Sequence, residues 1–269
     1  MQTFVYFDTD ALRSVAGAFR QASLPQELRG HILHSQITLL ELISQIASGA
    51  SNTVLGQIRS IPNFTNPNGT GLLPWPDDFL AYILSGKPPV VDTTNLKTRE
   101  TEINVCLNAK SVDEVRESAG RLKGELDKYK IDMANALVAN MAQYRAAPDR
   151  FTDWWAQGVI KRAGLVQNPP SQQEVVSKLK AFHDFDKRAF EAAVENPNYP
   201  AKKYGNDNLD REQMIYLSDP ALHFVTCDKR YSKKVCESEQ AKRIHTLNPA
   251  DLDSAQKVEC FLKGTVVTV

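Results

Sequence analysis

Short apolar runs mark both ends of this chain, and between them apolar positions recur at helical spacing. Residues 3–7 are almost wholly apolar and β-prone, the pattern of a strand buried on both faces. From Ala11 to Gln21 the apolar residues Leu12, Val15, Ala16 and Phe19 share one helical face, and Pro25 breaks the pattern. Residues 31–34 predict a second short strand. Ser35 suits the N-cap of a helix running to about Ser48, where Gly49 stops it. Residues 62–76, rich in Pro, Asn and Gly, read as loop, and 79–84 as a short helix before Pro88-Pro89.

From about 97 to 195 the period is helical throughout. Ser111 and Glu114 form a capping pair ahead of a seam through Val115, Ala119, Leu122, Leu126, Tyr129, Met133, Leu137 and Met141, which predicts one helix to Ala146. A second helix covers 151–163, with Gly164 in a left-handed cap. A third starts after Ser171, where Glu174 repeats the capping pattern, and ends near Asn196. Strand and helix alternation then returns: helix at 209–217, strand at 222–226, helix at 232–240, strand at 244–247. The expected fold class is α/β with a central, mostly parallel sheet built from both termini. The expected domains are a discontinuous α/β unit, 1–60 and 204–269, and a helical insertion, 61–203.

Composition narrows the class without naming a function. With 42% apolar and 24% charged residues the chain has the balance of a globular protein. Lys+Arg and Asp+Glu are both 32, so any affinity for a polyanion must be local. The four cysteines, Cys106, Cys227, Cys236 and Cys260, form no CxxC pair and no disulfide framework. No signal peptide is legible at the N-terminus, and no apolar run reaches the ~18 residues of a membrane span. The expected setting is reducing and cytoplasmic, with no membrane association.

Four acids stand far apart in the chain, and three of them, Asp8, Glu41 and Asp228, stand where acids are costly. Asp8 ends the first apolar run, and Asp228 lies just past the strand at 222–226. Glu41 is the one formally charged residue between His34 and Arg59, and Asp210 opens the helix before the Asp228 strand. Carboxylates in apolar surroundings are normally paired or bound to metal, and in open α/β sheets the binding crevice lies beyond the carboxyl ends of the strands. Together these four would bind a hard divalent cation, Mg²⁺ or Mn²⁺. Ordinary roles stand beside that reading. Asp8 suits a helix cap, and Asp10 suits one better; Glu41 can point outward; Asp207 competes with Asp210 as ligand or cap; Thr226 is a strand former. Lys229, Arg230, Lys233 and Lys234 follow Asp228 directly, either as a solvated face or as a contact for a phosphate backbone.

The segments Phe7-Asp8-Thr9-Asp10-Ala11-Leu12, Ile37-Thr38-Leu39-Leu40-Glu41-Leu42, Asn208-Leu209-Asp210-Arg211 and Val225-Thr226-Cys227-Asp228-Lys229-Arg230 resemble, in order and setting, those of the PIN-domain nucleases, which include VapC-type toxin ribonucleases. Residues 244–252 resemble that family's closing strand and loop. The resemblance covers roughly 1–58 and 204–252 and departs in the long helical middle. It implies a three-layer α/β/α fold and a Mg²⁺- or Mn²⁺-dependent endoribonuclease. Asp8, Glu41, Asp210 and Asp228 would be its catalytic ligands, Thr226 and Asp10 its supporting groups. It also implies RNA as substrate and an antitoxin-like partner, or a homo-oligomer formed through the insertion. Two other readings compete. Asp8-Thr9-Asp10 also resembles the acid pair of haloacid-dehalogenase-like phosphatases, and a non-catalytic PIN-like scaffold would bind RNA or protein without cutting.

Overall fold

The computed structural model of the chain describes residues 2–47, 49, 52–65, 71–87, 101, 103–196, 209–235 and 238–266. Strand β1 (Phe4–Phe7) leads into α1 (Thr9–Ala18), a single turn α2 (Gln26–Arg29), α3 (Gln36–Ala47) and α4 (Asn52–Ser60). The middle of the chain carries α5 (Pro76–Ser85), the long α6 (Val112–Ala146), α7 (Phe151–Arg162), α8 (Gln172–Lys178) and α9 (Lys180–Glu195). A helical turn at 209–212 runs on as a 3₁₀ stretch, Gln213–Ser218. Then come β2 (Leu222–Thr226), α10 (Arg230–Lys234), β3 (Ile244–Thr246) and α11 (Ala255–Val266).

The sheet is small and parallel, in the order β1-β2-β3, and helix dominates the rest. Phe7 pairs with Val225, and Thr226 with Thr246, so all three strands end on one edge. Successive side chains of a strand point to opposite faces, and both faces are covered. Val5, Phe7 and Val225 join one core with residues of α1, α3, α4, α11 and the first half of α6. Tyr6, Leu222 and Phe224 join the other with α5, α7 and α9. Two-sided burial is what the unbroken apolar runs require. The expected strand at 31–34 is reduced to isolated bridges, Val5 with Ile32 and His34 with Leu72.

The middle block shares both cores with the termini. Val115, Ala119 and Leu122 of α6 are fully buried in the first, and the helical residues Ile103 and Cys106 join them. Its N-terminus is capped as the sequence predicts: the Ser111 hydroxyl accepts from the Glu114 amide, while the Glu114 carboxylate takes the Lys110 amide at 2.8 Å. Gly164 adopts φ 68°, the left-handed conformation expected after α7. Ser171 caps α8, but the third expected helix is broken at Leu179 into α8 and α9. The helix expected at 232–240 is the shorter α10, starting two residues earlier and ending at Lys234. Among the described residues no helix is long and apolar enough to cross a membrane.

Candidate functional site

The parallel register alone sets Asp8 beside the end of β2. The Asp8 amide donates to the Val225 carbonyl at 2.9 Å, one step past the last paired residues. Helix α1 starts at Thr9, earlier than the sequence suggested. Asp8 is therefore its N-cap, accepting from the Ala11 amide at 2.7 Å, and Asp10 lies in the first turn. Capping uses Oδ1. The Oδ2 of Asp8 takes the hydroxyl of Thr226, which in turn accepts the amide of Asp228 at 2.9 Å. Thr226 is completely buried, so one hydroxyl joins the acids of β1 and β2.

Glu41 and Asp210 reach the same edge by a second thread. Thr38, one turn before Glu41 on α3, donates its hydroxyl to the Phe7 carbonyl at 3.1 Å and accepts the Gln213 side-chain amide at 3.1 Å. Gln213 lies one turn after Asp210, and its own carbonyl takes the Tyr6 hydroxyl at 2.7 Å. Leu209 packs with Ile37 and Leu126 on the other side of Asp210. Arg211 and Glu212 turn into a buried ion-pair group. Arg162 of α7 holds Glu212 through two nitrogens at 3.0 and 2.8 Å and also pairs with Asp77, while Arg211 holds Asp186 at 2.7 Å. The middle block thus anchors the segment that carries Asp210.

The result is a cleft of about 350 Å³ lined by Asp8, Asp10, Glu41, Asp210 and Asp228. Burial raises the Asp8 carboxyl from 3.8 to about 6 against the hydrogen bonds from Thr226 and Ala11, and the charges of Asp10 and Asp228 add to the rise. Burial likewise raises Glu41, although Thr9 donates to its Oε2 at 2.7 Å. Burial also lifts the Tyr231 phenol well above its ordinary value, and Asp210, Asp8 and Glu41 push in the same direction. The Cys227 thiol rises to about 11, by burial and then by Asp8, Asp10 and Asp251. Asp228 goes the other way: burial alone would raise it, but the Arg230 side chain and amide hold it below the ordinary carboxylate value.

Cations rim the cleft. Arg230 reaches Asp228 at 2.5 Å and Asp210 at 3.7 Å, Arg13 pairs with Asp10 at 3.1 Å, and Lys130 of α6 also lines the cleft. Of the basic run after Asp228, Lys229 and Lys233 are exposed, and Lys234 stands over the Phe185 ring at 4.3 Å. Asp207 lies outside the described residues. Arg13, Lys130, Gln213 and Tyr231 were not foreseen. Lys130 carries no local signal, because only the packing of α6 on α3 brings it there.

The donors fit a hard cation in chemistry: all are carboxylate oxygens, and burial, with a smaller contribution from like charge, leaves Asp8 and Glu41 reluctant to ionise. As they stand, with Asp8 bonded at both oxygens and Arg230 holding Asp228, no group of three or more His, Cys, Asp or Glu side chains among the described residues is arranged to hold an ion. No protein-family model matches this chain, and no curated protein or solved structure is significantly similar to it.

Proposed function

We propose that this protein is a metal-dependent phosphodiesterase, a PIN-like endoribonuclease whose ligands for Mg²⁺ or Mn²⁺ are Asp8, Glu41, Asp210 and Asp228. The observation that carries the reading is the meeting of four acids from four distant stretches of chain on one cleft, with Asp8 and Glu41 raised by burial and by the nearby charge of Asp10. A bound divalent ion would relieve that repulsion and lower the pKa of a coordinated water. The chain's own groups do the rest. Thr226 fixes the Asp8 carboxylate, Thr9 fixes Glu41, and Tyr231 fixes Asp210 through its hydroxyl at 3.0 Å. Arg13, Lys130 and Arg230 offer positive charge to a phosphodiester entering over the acids.

RNA as the substrate, and an antitoxin-like partner or a second copy, belong to the same proposal and rest on the resemblance of the acidic segments. Ile131 and Val138 on α6, 58% and 60% exposed, offer a partner two apolar side chains on one helical face. Cys106, Cys227 and Cys260 are thiols and not disulfides, which suits a reducing, cytoplasmic setting.

The test is cleavage of end-labelled single-stranded RNA with Mn²⁺ against excess EDTA. Cutting in Mn²⁺ that is lost in EDTA and in Asp8→Asn and Asp228→Asn, with circular dichroism unchanged, is the expected result. Cutting by the Asn variants at the parent rate contradicts it. Turnover of a phosphomonoester through a phosphorylated Asp8 would instead establish the phosphatase reading.

A further inference from the structure

Gln213 lines the acidic cleft, yet it is 2% exposed and its amide oxygen has no hydrogen-bond partner among the described residues. Which end of that amide is oxygen follows from its neighbour. The Thr38 hydroxyl spends its one proton on the Phe7 carbonyl, at 3.1 Å, so toward Gln213 it can only accept. The group 3.1 Å from it is therefore the NH₂, and Oε1 is the end left over. A buried acceptor without a donor is rare in folded proteins and calls for a physical reason. The side chain is not loose: its NH₂ is held by Thr38 and its backbone carbonyl by the Tyr6 hydroxyl.

Resting on the proposed metal site, we infer that Gln213 is a fifth oxygen donor of that site, its Oε1 serving the divalent cation directly or through one bound water. Amide carbonyls are ordinary ligands for hard cations, and they add an oxygen without adding charge. In a cleft already lined by the carboxylates of Asp8, Glu41, Asp210 and Asp228, a neutral donor completes the shell without adding a like charge. The position suits the task. Gln213 stands one turn from Asp210 on the segment locked by Arg162 and Glu212, so a donor there is set before the ion arrives.

Calorimetric titration of Mn²⁺ into the parent protein, Gln213→Leu, Gln213→Glu and Asp8→Asn tests this, with melting in EDTA as the measure of the metal-free fold. Gln213→Leu should weaken Mn²⁺ binding by about tenfold or more, as loss of an outer ligand does. Its melting temperature in EDTA should stay level or rise. Gln213→Glu, which keeps an oxygen there and adds charge, should bind Mn²⁺ at least as tightly as the parent. Parent-like Mn²⁺ affinity in Gln213→Leu, with Asp8→Asn impaired, overturns the role of Gln213 and leaves the metal site standing. Should Gln213→Leu fail to fold, weaker binding by Gln213→Glu overturns it equally. Parent-like affinity in Asp8→Asn overturns the metal site and this inference with it.

Discussion

The side-chain amide of Gln213 donates to the hydroxyl of Thr38 at 3.1 Å, and this contact ties the segment bearing Asp210 to the helix bearing Glu41. Thr38 passes the tie to the carbonyl of Phe7, next to Asp8. Thr226 does the same between Asp8 and Asp228. Two buried threonine hydroxyls therefore gather acids that the chain keeps far apart.

Replacing Thr226 by Val keeps the shape and strand propensity but removes the hydroxyl. Oδ2 of Asp8 and the amide of Asp228 then lose their shared partner. Urea denaturation should show a loss of about 1–3 kcal/mol, while Thr226→Ser, which keeps the oxygen, should cost under about 1 kcal/mol. Equal losses in the two variants would mean that packing, not the hydroxyl, matters at this position.

Asp8 makes stability depend on pH with a definite sign. Its carboxyl titrates at about 6 in the folded protein against 3.8 ordinarily. Below both values it is protonated in either state and contributes nothing. As pH rises through that window the unfolded chain releases its proton first, so the native state binds more protons and stability falls. Above about pH 6 the deficit is constant, on the order of 3 kcal/mol. Asp8→Asn removes the effect, so the difference in melting temperature, variant minus parent, should be more positive at pH 7.5 than at pH 4.5. A difference independent of pH refutes this.

Arg162 neutralises the fully buried Glu212 and reaches it from α7. Arg162→Met strands that charge beside Arg211 and should cost about 3–5 kcal/mol in chemical denaturation. Adding Glu212→Gln to the same chain should restore part of the loss, because the two residues act as one unit. Strict additivity would show that the pair is not coupled.

Lys130 should matter to substrate and not to metal. If it meets a phosphate, Lys130→Met should weaken RNA binding and reduce the slope of log affinity against log salt by about 0.7. Its Mn²⁺ affinity should not weaken, since a positive charge has left the neighbourhood of Glu41. An unchanged salt slope removes Lys130 from the substrate path.

Much of this architecture was legible in the chain. The runs ending at Phe7 and Thr226 announce two-sided burial, and Ser111 and Ser171 announce their helices through capping chemistry. Local pattern also picks out Asp8, Glu41 and Asp228, because each interrupts or ends an apolar stretch, and Asp210, because it opens the helix before the Asp228 strand. What local pattern does not carry is the packing of α6 on α3. Lys130 belongs to a solvated helix face until Leu126 is seen to pack with Ile37 and Leu209 beside the cleft. Gln213 is hidden for a related reason: its value lies in bonds to Thr38 and Tyr6, both remote in sequence. The start of α1 was misplaced because Thr9 and Asp10, weak helix formers, are drawn into the helix by the Asp8 cap.

The measurement that bears most directly on the account is an anomalous difference map from crystals soaked in Mn²⁺ above pH 7. A peak between Asp8 and Asp228, with Glu41 and Asp210 within direct or water-mediated reach, is the predicted result. A map in which manganese binds elsewhere, while Arg230 still bridges Asp228 and Asp210, would contradict it.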